Sequence, residues 1–255
     1  MTREEAWLGQ QNESCRLEWG SRGVQAAAER GDILVVVDVL SFSTAVATAV
    51  ENGARIYPCG KNEDAGALAE SHGAVTAVRR EEVPGKGRYS LSPGTFLTAT
   101  PGERIVLQSP NGATCSRYGS QVPCLLVGAL VNAAAVAVAA ARAAAEKGVG
   151  ITVLACGERW HSPHEDGELR FAVEDYLGAG AILSHLPESI SRSLEAQICQ
   201  SAFAASVDRL PELLQNCGSG IELRDRGYGS DVEHSACLNV CQTAPILCSG
   251  LYFGT

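Results

Sequence analysis

Several short motifs that identify large enzyme classes are missing from this 255-residue chain. There is no GxxxxGK[ST] loop, no GxGxxG at the start of a predicted helix and no GxSxG turn. Neither a P-loop nucleotide hydrolase nor a hydrolase of the nucleophile-elbow type is therefore expected. An excess of basic residues is missing too, since the formal net charge at pH 7 is −9. That charge argues against a nucleic-acid partner.

Paired cysteines are also missing. None of the ten cysteines forms a CxxC pair. Cys124 and Cys156 lie within apolar runs, where a free thiol behaves as a small hydrophobic side chain. Cys237 and Cys241 are four residues apart, but a zinc site would need two further ligands. Reduced thiols and a cytoplasmic protein are therefore predicted.

No targeting or membrane-spanning pattern is found. The first 15 residues include acidic side chains and no apolar core, unlike a signal peptide. One apolar stretch, 122–141, is long enough to span a bilayer, but Gly128 and Asn132 interrupt it. A strand over 124–128 and a buried helix from about Asn132 explain it better. The alanines of that helix suit either the core or the interface of a homodimer, and both remain open.

Strands and helices alternate along the chain. Strands are predicted over 33–39, 54–59, 74–78, 104–109, 124–129, 150–156 and 244–248. Helices are predicted from Thr44 to Gly53, over 62–73 with Asn62 as N-cap, from about Asn111, Asn132 and Glu168, and within 188–217. The alternation predicts an α/β fold, with a mostly parallel sheet covered by helices on both faces. Residues 79–103 read as an irregular excursion beside the sheet, and residues 1–255 as a single domain.

A carboxylate follows the apolar run LVVV of residues 34–37. Charged residues are almost never fully buried without a partner. Ser41 or Ser43 is better placed than Asp38 to cap the helix that begins near Thr44, which leaves Asp38 without a capping role. A metal or phosphate site at the strand end and a simply hydrated side chain both remain open.

A second strand leads into SPNGAT, residues 109–114. Asn111 and Gly112 tolerate positive φ, and backbone N–H groups at a helix start can bind phosphate. An ordinary strand-to-helix turn needs the same residues and remains the alternative. Four basic residues in or beside the excursion are candidates for an anionic substrate, or simply for solvated charges. They are Arg79, Arg80, Lys86 and Arg88.

Further carboxylates lie later in the chain. Glu158 closely follows the strand 150–156 and is a candidate metal ligand or general base. Glu174 and Asp175 are adjacent on a predicted helix, so only one is expected to face the core, where Mg²⁺ would suit it. A solvated face or an ion pair with Arg170 is the alternative. The segment 158–168 also holds His161, His164, Glu165, Asp166 and Glu168; without zinc-site spacing, and with Pro163 against a helix, it is predicted to be a solvated loop.

Five segments together resemble the 2-phosphosulfolactate phosphatases, the ComB-like proteins. They are VVVDVLSFSTAVATAVENGA (35–54), SPNGAT (109–114), VGALVNAAAVA (127–137), AVEDYLGAGAI (172–182) and GYGSDVEHSACLNVCQTAPIL (227–247). The resemblance implies a three-layer α/β/α fold and a magnesium-dependent phosphatase that converts a small sulfonated 2-phospho acid to 3-sulfolactate, a step toward coenzyme M in methanogens. Two departures are Ser41, where the family usually has arginine, and the loosely similar GRYSLSPGTF (87–96).

The combined interpretation is a Mg²⁺-dependent phosphomonoester hydrolase with a small anionic phosphorylated substrate. The predicted catalytic residues are Asp38, Glu158 and Asp175, and the predicted Mg²⁺ ligands are Asp38, Glu158, Glu174 and Asp175. The predicted substrate-binding residues are Ser41, Ser43, Thr44, Asn111, Gly112 and Arg88. The alternatives are a non-catalytic small-anion binder of the same fold and a phosphatase for a different small phosphoester.

Overall fold

The computed structural model describes residues 9–164 and 167–254, except for the side chains of His161 and Pro163. Glu165 and Asp166, two members of the predicted solvated loop, lie outside the described residues. The strands are β1 (Cys15–Trp19), β2 (Ile33–Val37), β3 (Arg55–Cys59), β4 (Val75–Thr76), β5 (Arg104–Gln108), β6 (Leu125–Gly128), β7 (Ile151–Ala155), β8 (Glu158–His164), β9 (Gly167–Arg170), β10 (Pro245–Cys248) and β11 (Leu251–Gly254). The α-helices are α1 (Gly20–Arg30), α2 (Phe42–Glu51), α3 (Ala65–His72), α4 (Gly112–Tyr118), α5 (Ala133–Lys147), α6 (Val173–His185), α7 (Leu194–Ala204), α8 (Leu210–Asn216), α9 (Gly218–Asp225) and α10 (Gly229–Ser235).

The central sheet has nine strands in the order β1-β7-β2-β6-β10-β11-β3-β5-β4. The first four strands are mutually parallel, and so are the last three. The hairpin β10–β11 joins the two groups through antiparallel pairs on both sides. The sheet is therefore mixed and mostly parallel, as predicted.

Helices cover both faces of this sheet. Within β2, Leu34 and Val36 belong to one hydrophobic core with side chains of α1, α2 and α4. Val35 and Val37 belong to a second core with side chains of α5, α6 and α7. All five β2 residues are buried, because a strand covered on both faces has no polar side to alternate. The three-layer α/β/α architecture is confirmed.

The segment after β7 corrects two predictions. The helix predicted from about Glu168 exists but its predicted start is wrong, because β8 and β9 form a two-stranded antiparallel sheet and α6 begins only at Val173. The solvated loop predicted over 158–168 is for the same reason a hairpin in its described part. Gly167, with φ +95°, supplies the left-handed backbone conformation at the start of β9. Strand pairing gives the polar backbone of the segment partners that a loop would leave to water.

One smaller feature differs from the prediction and another agrees with it. Asp64, not Asn62, caps α3, because its side chain accepts the N–H groups of Gly66 and Ala67. The prediction of an irregular excursion over 79–103 is confirmed; it contains only short 3₁₀ turns, at Arg80–Glu82 and Pro93–Thr98. Its fold rests on the buried, stacked rings of Tyr89 and Phe96, whose centroids lie 5.1 Å apart.

The alanine-rich stretch forms β6 and then α5, as predicted. Val136, Ala137 and Ala140 of α5 are buried in the core, whereas Val138 is 68% exposed. None of the helices in the described ranges is both long and apolar enough to cross a membrane. The homodimer stays a prediction.

Candidate functional site

Asp38 lies immediately after β2 and joins the starts of two helices. Its Oδ2 accepts the N–H of Gly112 at 2.7 Å and the hydroxyl of Ser109 at 3.4 Å, and its Oδ1 accepts the N–H of Phe42 at 3.4 Å. The prediction that Asp38 has no capping role is wrong. Ser41 does occupy the N-cap position of α2, but its side chain makes no capping bond there.

The contact with Gly112 does not follow from strand order, because four strands separate β2 from β5 in the sheet. It arises because α4, the helix after β5, packs over β2. A Cβ atom on Gly119, at the end of α4, would lie 2.6 Å from Leu34. Gly112 itself is required at the start of α4, since a Cβ there would lie 2.3 Å from the Phe42 ring and 2.8 Å from Asp38 Oδ2.

This contact also changes the expected phosphate site. The Gly112 N–H predicted to bind phosphate donates to the Asp38 carboxylate instead. The Asn111 N–H donates to Ser109 Oγ at 3.2 Å. The first two N–H groups of the predicted anion site therefore already have acceptors within the protein. Asn111 contributes through its side chain, which faces the neighbouring carboxylate.

That carboxylate is Glu158, the first residue of β8. Its Oε2 accepts the side-chain amide of Asn111 at 3.3 Å and the N–H of Arg159 at 3.2 Å. Its Oε1 makes no hydrogen bond to any of the residues that the structure describes. Burial, and then the negative charges of Asp38 and Glu174, raise the pKa of Glu158 to about 7.

The pKa of Asp38 is raised as well. Burial is the largest cause and brings the pKa of Asp38 to about 6, although the hydrogen bonds from Gly112, Phe42 and Ser109 act in the opposite direction. The negative charge of Glu174 raises it further. Two carboxyl groups that titrate near neutral pH therefore lie close together at the end of the central strand, as groups at functional sites often do.

Glu174 and Asp175 are both buried, which corrects the expectation that only one would face the core. Glu174 Oε1 accepts a short hydrogen bond from the hydroxyl of Ser219. Asp175 accepts the N–H of Val39 at 2.7 Å and that of Gly157 at 2.9 Å. Both residues lie in the first turn of α6 and meet donors from the ends of β2 and β7 and from α9. The alternative in which Glu174 and Asp175 lie on a solvated helix face is wrong.

Burial, followed by the charges of Asp38 and Glu174, raises the pKa of Asp175 well above its ordinary range. Because each of its oxygens binds a backbone N–H at a strand end, Asp175 ties the end of β2 to the end of β7. Arg170, the alternative partner considered from the sequence, donates to the Phe171 carbonyl and lies over the Trp160 ring.

A cavity of about 210 Å³ opens beside Asp38 and Glu158. Two arginines, Arg80 and Arg226, line it together with these carboxylates. The further lining residues are Leu40, Ser41, Leu91, Ser109, Pro110, Asn111, Ser219, Glu222 and Leu223. Carboxylates can bind a metal ion and arginines can bind an anion, so a small cavity with both suits an anionic ligand bound together with a metal ion.

Of the hydroxyl groups predicted to bind substrate, only that of Ser41 belongs to a residue that lines this cavity. Ser43 Oγ accepts the Asp38 N–H at 2.9 Å and donates to Val36 O at 3.2 Å. Thr44 Oγ1 donates to Val39 O at 2.8 Å. Ser43 and Thr44 are fully buried and hold the turn that presents Asp38.

Of the four basic residues named from the sequence, Arg80 lines the cavity and Arg88, the predicted substrate ligand, does not. Arg88 donates to Glu103 at 3.0 Å, is 59% exposed in its side chain and does not line the cavity. Arg80 forms an ion pair with Asp231 at 2.9 Å, and its Nη2 donates to Ser41 Oγ at 2.9 Å. Sequence reasoning named Arg80 among four basic residues but missed Asp231, whose only signal was its place in the segment GYGSDVEH.

The oxygen atoms around the cavity match the ligands that Mg²⁺ prefers. Magnesium is commonly held by one or two carboxylates, with water and substrate phosphate completing its shell. Asp38 and Glu158, which face the cavity, fit that pattern. Across the part of the chain that the structure describes, no three or more His, Cys, Asp or Glu side chains form a metal site by themselves. Glu174 and Asp175 do not line the cavity, and their role as ligands stays a prediction.

Comparisons with known proteins agree with the resemblance in sequence. The family model of the 2-phosphosulpholactate phosphatases matches residues 22–250. A protein of Carboxydothermus hydrogenoformans is 28% identical over 214 residues, which cover 83% of this chain and 84% of that protein. Proteins of Gloeobacter violaceus and Deinococcus radiodurans are each 28% identical, over 84% and 86% of this chain and 87% and 89% of their own lengths. All three are named probable 2-phosphosulfolactate phosphatases.

Proposed function

Since the chain belongs to the 2-phosphosulpholactate phosphatase family, we propose that it hydrolyses 2-phosphosulfolactate to 3-sulfolactate and phosphate in a Mg²⁺-dependent reaction. The observation that carries this proposal is that a buried carboxylate, Asp38, and a partly buried one, Glu158, line one cavity and both have raised pKa values. Buried like charges are unfavourable unless a cation neutralises them.

Asp38 and Glu158 are the residues that would hold the metal. A bound Mg²⁺ neutralises phosphate charge and lowers the pKa of a coordinated water. Asp38 is fixed for this role by the N–H groups at two helix starts, and Glu158 by Asn111 and Arg159. Such support holds ligands in place before a metal binds.

Glu158 is suited to proton transfer instead when Asp38 alone holds the metal, because a cation bound to Glu158 itself would lower the pKa of Glu158. A general acid or base works best when its pKa lies near the operating pH, and that of Glu158 is raised to about 7. We assign the exchangeable proton to Oε1, because Oε2 already accepts two N–H groups. The Ser41 hydroxyl and the Asn111 amide, which line the same cavity, are proposed to bind phosphate oxygens.

The test is phosphate release from a panel of small phosphorylated carboxylates and sulfonates that includes 2-phosphosulfolactate, measured with Mg²⁺ and with EDTA. Metal-dependent turnover of 2-phosphosulfolactate is expected. Turnover of another phosphoester alone would keep the chemistry and change the substrate. No turnover, together with thermal stabilisation by the same compounds, would favour the non-catalytic anion binder.

Two properties complete the proposal without bearing on the chemistry. The ten cysteines carry no disulfide between described residues, and eight of them are buried, which supports the cytoplasm as the compartment. The exposed Val138 on α5 supports testing for a homodimer by light scattering.

A further inference from the structure

Arg80 is held rigidly on the side away from the cavity. Its Nε donates to Asp231 Oδ2 at 2.9 Å and to Ser92 Oγ at 3.2 Å. Ser92 in turn donates to the same Asp231 oxygen at 2.7 Å. The Asp231 side chain is 5% exposed and that of Arg80 is 12% exposed. A guanidinium with such fixed neighbours loses little conformational freedom when it binds a ligand.

The two outer nitrogens of Arg80 differ. Nη2 donates to Ser41 Oγ at 2.9 Å and to the Leu91 carbonyl at 3.3 Å. Nη1 makes no hydrogen bond to any residue in the described ranges. A guanidinium has five N–H donors in one plane, so the two donors of Nη1 are open to a ligand.

Arg80 lines the cavity that also holds Asp38 and Glu158. Arg226 lines the cavity too, but its Nη1 donates to Glu222 at 3.1 Å and its side chain is 49% exposed. Arg80 is therefore the less exposed arginine of this cavity and the one with an outer nitrogen open to a ligand.

We propose that Arg80 is a specificity-determining residue, whose Nη1 binds a second anionic group, the carboxylate or sulfonate, of the phosphorylated substrate. This inference rests on the proposed function and adds to it the residue that recognises the second anionic group. Planar, charge-assisted donors favour carboxylate and sulfonate oxygens over neutral groups. The cavity thus selects phosphoesters that carry another anion a few atoms from the phosphate, with Asp231 as the positioning residue.

The first experiment compares kcat/KM for 2-phosphosulfolactate with that for isopropyl phosphate, which has neither carboxylate nor sulfonate. In Arg80→Lys and Arg80→Met we expect the ratio of the two values to fall by about 10- to 100-fold, as for a lost hydrogen bond between charged groups. Arg79→Lys is the matched control, because Arg79 is adjacent, is 72% exposed and pairs with Glu82. Its ratio should equal that of the unmodified protein.

An equal fall for both substrates in Arg80→Lys, at unchanged melting temperature, would overturn the assignment, and so would an unchanged ratio. The second experiment needs no turnover: calorimetry of 3-sulfolactate binding should show a Kd at least about 10-fold higher in Arg80→Met. Arg80-dependent binding without hydrolysis would refute the proposed function and keep this inference. Hydrolysis with binding that is independent of Arg80 would do the reverse.

Discussion

Asp38→Asn should leave the protein folded, more stable at neutral pH and inactive. Burial and neighbouring charge raise the pKa of Asp38 from its ordinary value of 3.8 to about 6. This difference in pKa corresponds to roughly 3 kcal/mol. Above pH 6 the ionised carboxylate therefore lowers the free energy of unfolding by that amount. Asparagine removes this charge while keeping one oxygen for the Gly112 N–H.

Asp38→Asn also removes one hydrogen bond. The asparagine amide faces the Phe42 N–H in place of an oxygen, so the 3.4 Å bond is lost, at about 1 kcal/mol. The expected net gain is about 2 kcal/mol at pH 7.5 in EDTA, or roughly 4–8 °C in Tm for a chain of this size. Turnover should be abolished, because the residue no longer supplies an ionised ligand.

The direction in which stability changes with pH tests whether the charge of Asp38 is the cause. A carboxyl group whose folded pKa is raised binds more protons in the folded state, so stability falls as pH rises from 3.8 to about 6. The advantage of Asp38→Asn should therefore be absent near pH 4 and reach its full size above pH 6. Urea unfolding in EDTA at pH 4, 5, 6 and 7.5 measures it.

Asp32→Asn is the matched control. Asp32 is buried as well, but it binds Arg16 at 3.1 Å and Arg30 at 2.9 Å. Breaking a buried ion pair is strongly destabilising, by about 3–5 kcal/mol, so this variant should lose stability at pH 7.5. If Asp38→Asn loses stability too, or its gain does not vary with pH, the buried charge of Asp38 is not what lowers the stability of the unmodified protein. If the variant retains turnover, the catalytic assignment of Asp38 is refuted.

Three further changes test other parts of the site. Glu158→Gln should lower kcat by about 10²- to 10⁴-fold, measured by phosphate release across pH 5–9, and a full rate would remove Glu158 from the mechanism. Because burial raises the pKa of Glu158 to about 7, this variant should also be more stable than the unmodified protein above pH 7. Gly112→Ala should reduce both activity and stability, by about 1–3 kcal/mol, because its Cβ meets the Phe42 ring; the control Gly94→Ala, whose Cβ meets nothing within 4 Å, should be neutral in urea unfolding. Arg88→Ala should leave kcat/KM unchanged, because its side chain points away from the cavity, and a large loss would restore it as a substrate ligand.

Local pattern was sufficient for the strands that carry the site. The run LVVV of β2 is apolar on both faces, and burial on both faces requires that pattern, so Asp38 at its end was conspicuous. The same reasoning found β5, β6 and β7, and with them Asn111 and Glu158. These positions depend on properties of a few consecutive residues, which is the information a single sequence contains.

Elements that depend on distant partners were missed. β1 has the sequence CRLEW, in which Arg16 and Glu18 obscure the apolar pattern. Their charges are tolerated there because Arg16 binds Asp32 and Glu18 binds Arg30, and neither pairing can be read from the strand itself. The hairpin β8–β9 was missed because ERWHSPH shows no regular alternation of apolar residues.

The choice between Arg80 and Arg88 shows the same limit within the site. Both belong to the Gly- and Pro-rich excursion, and composition does not separate them. The distinction is made by Asp231, which lies 151 residues after Arg80 and binds it at 2.9 Å. A charged side chain enters a protein interior where such a partner exists, so the location of the partner decides which arginine turns inward.

The unfavourable charge on Asp38 has a consequence for cation binding. A ligand that binds only the folded protein stabilises it by an amount set by its concentration and Kd. A cation at Asp38 and Glu158 would neutralise the poorly solvated charge of Asp38, so part of the roughly 3 kcal/mol attributed to Asp38 should return as binding free energy. Mg²⁺ should therefore raise the Tm of the unmodified protein more than that of Asp38→Asn, and an equal rise would place the ion elsewhere. The low stability of the metal-free site and its affinity for a cation are, on this argument, the same interaction measured in two ways.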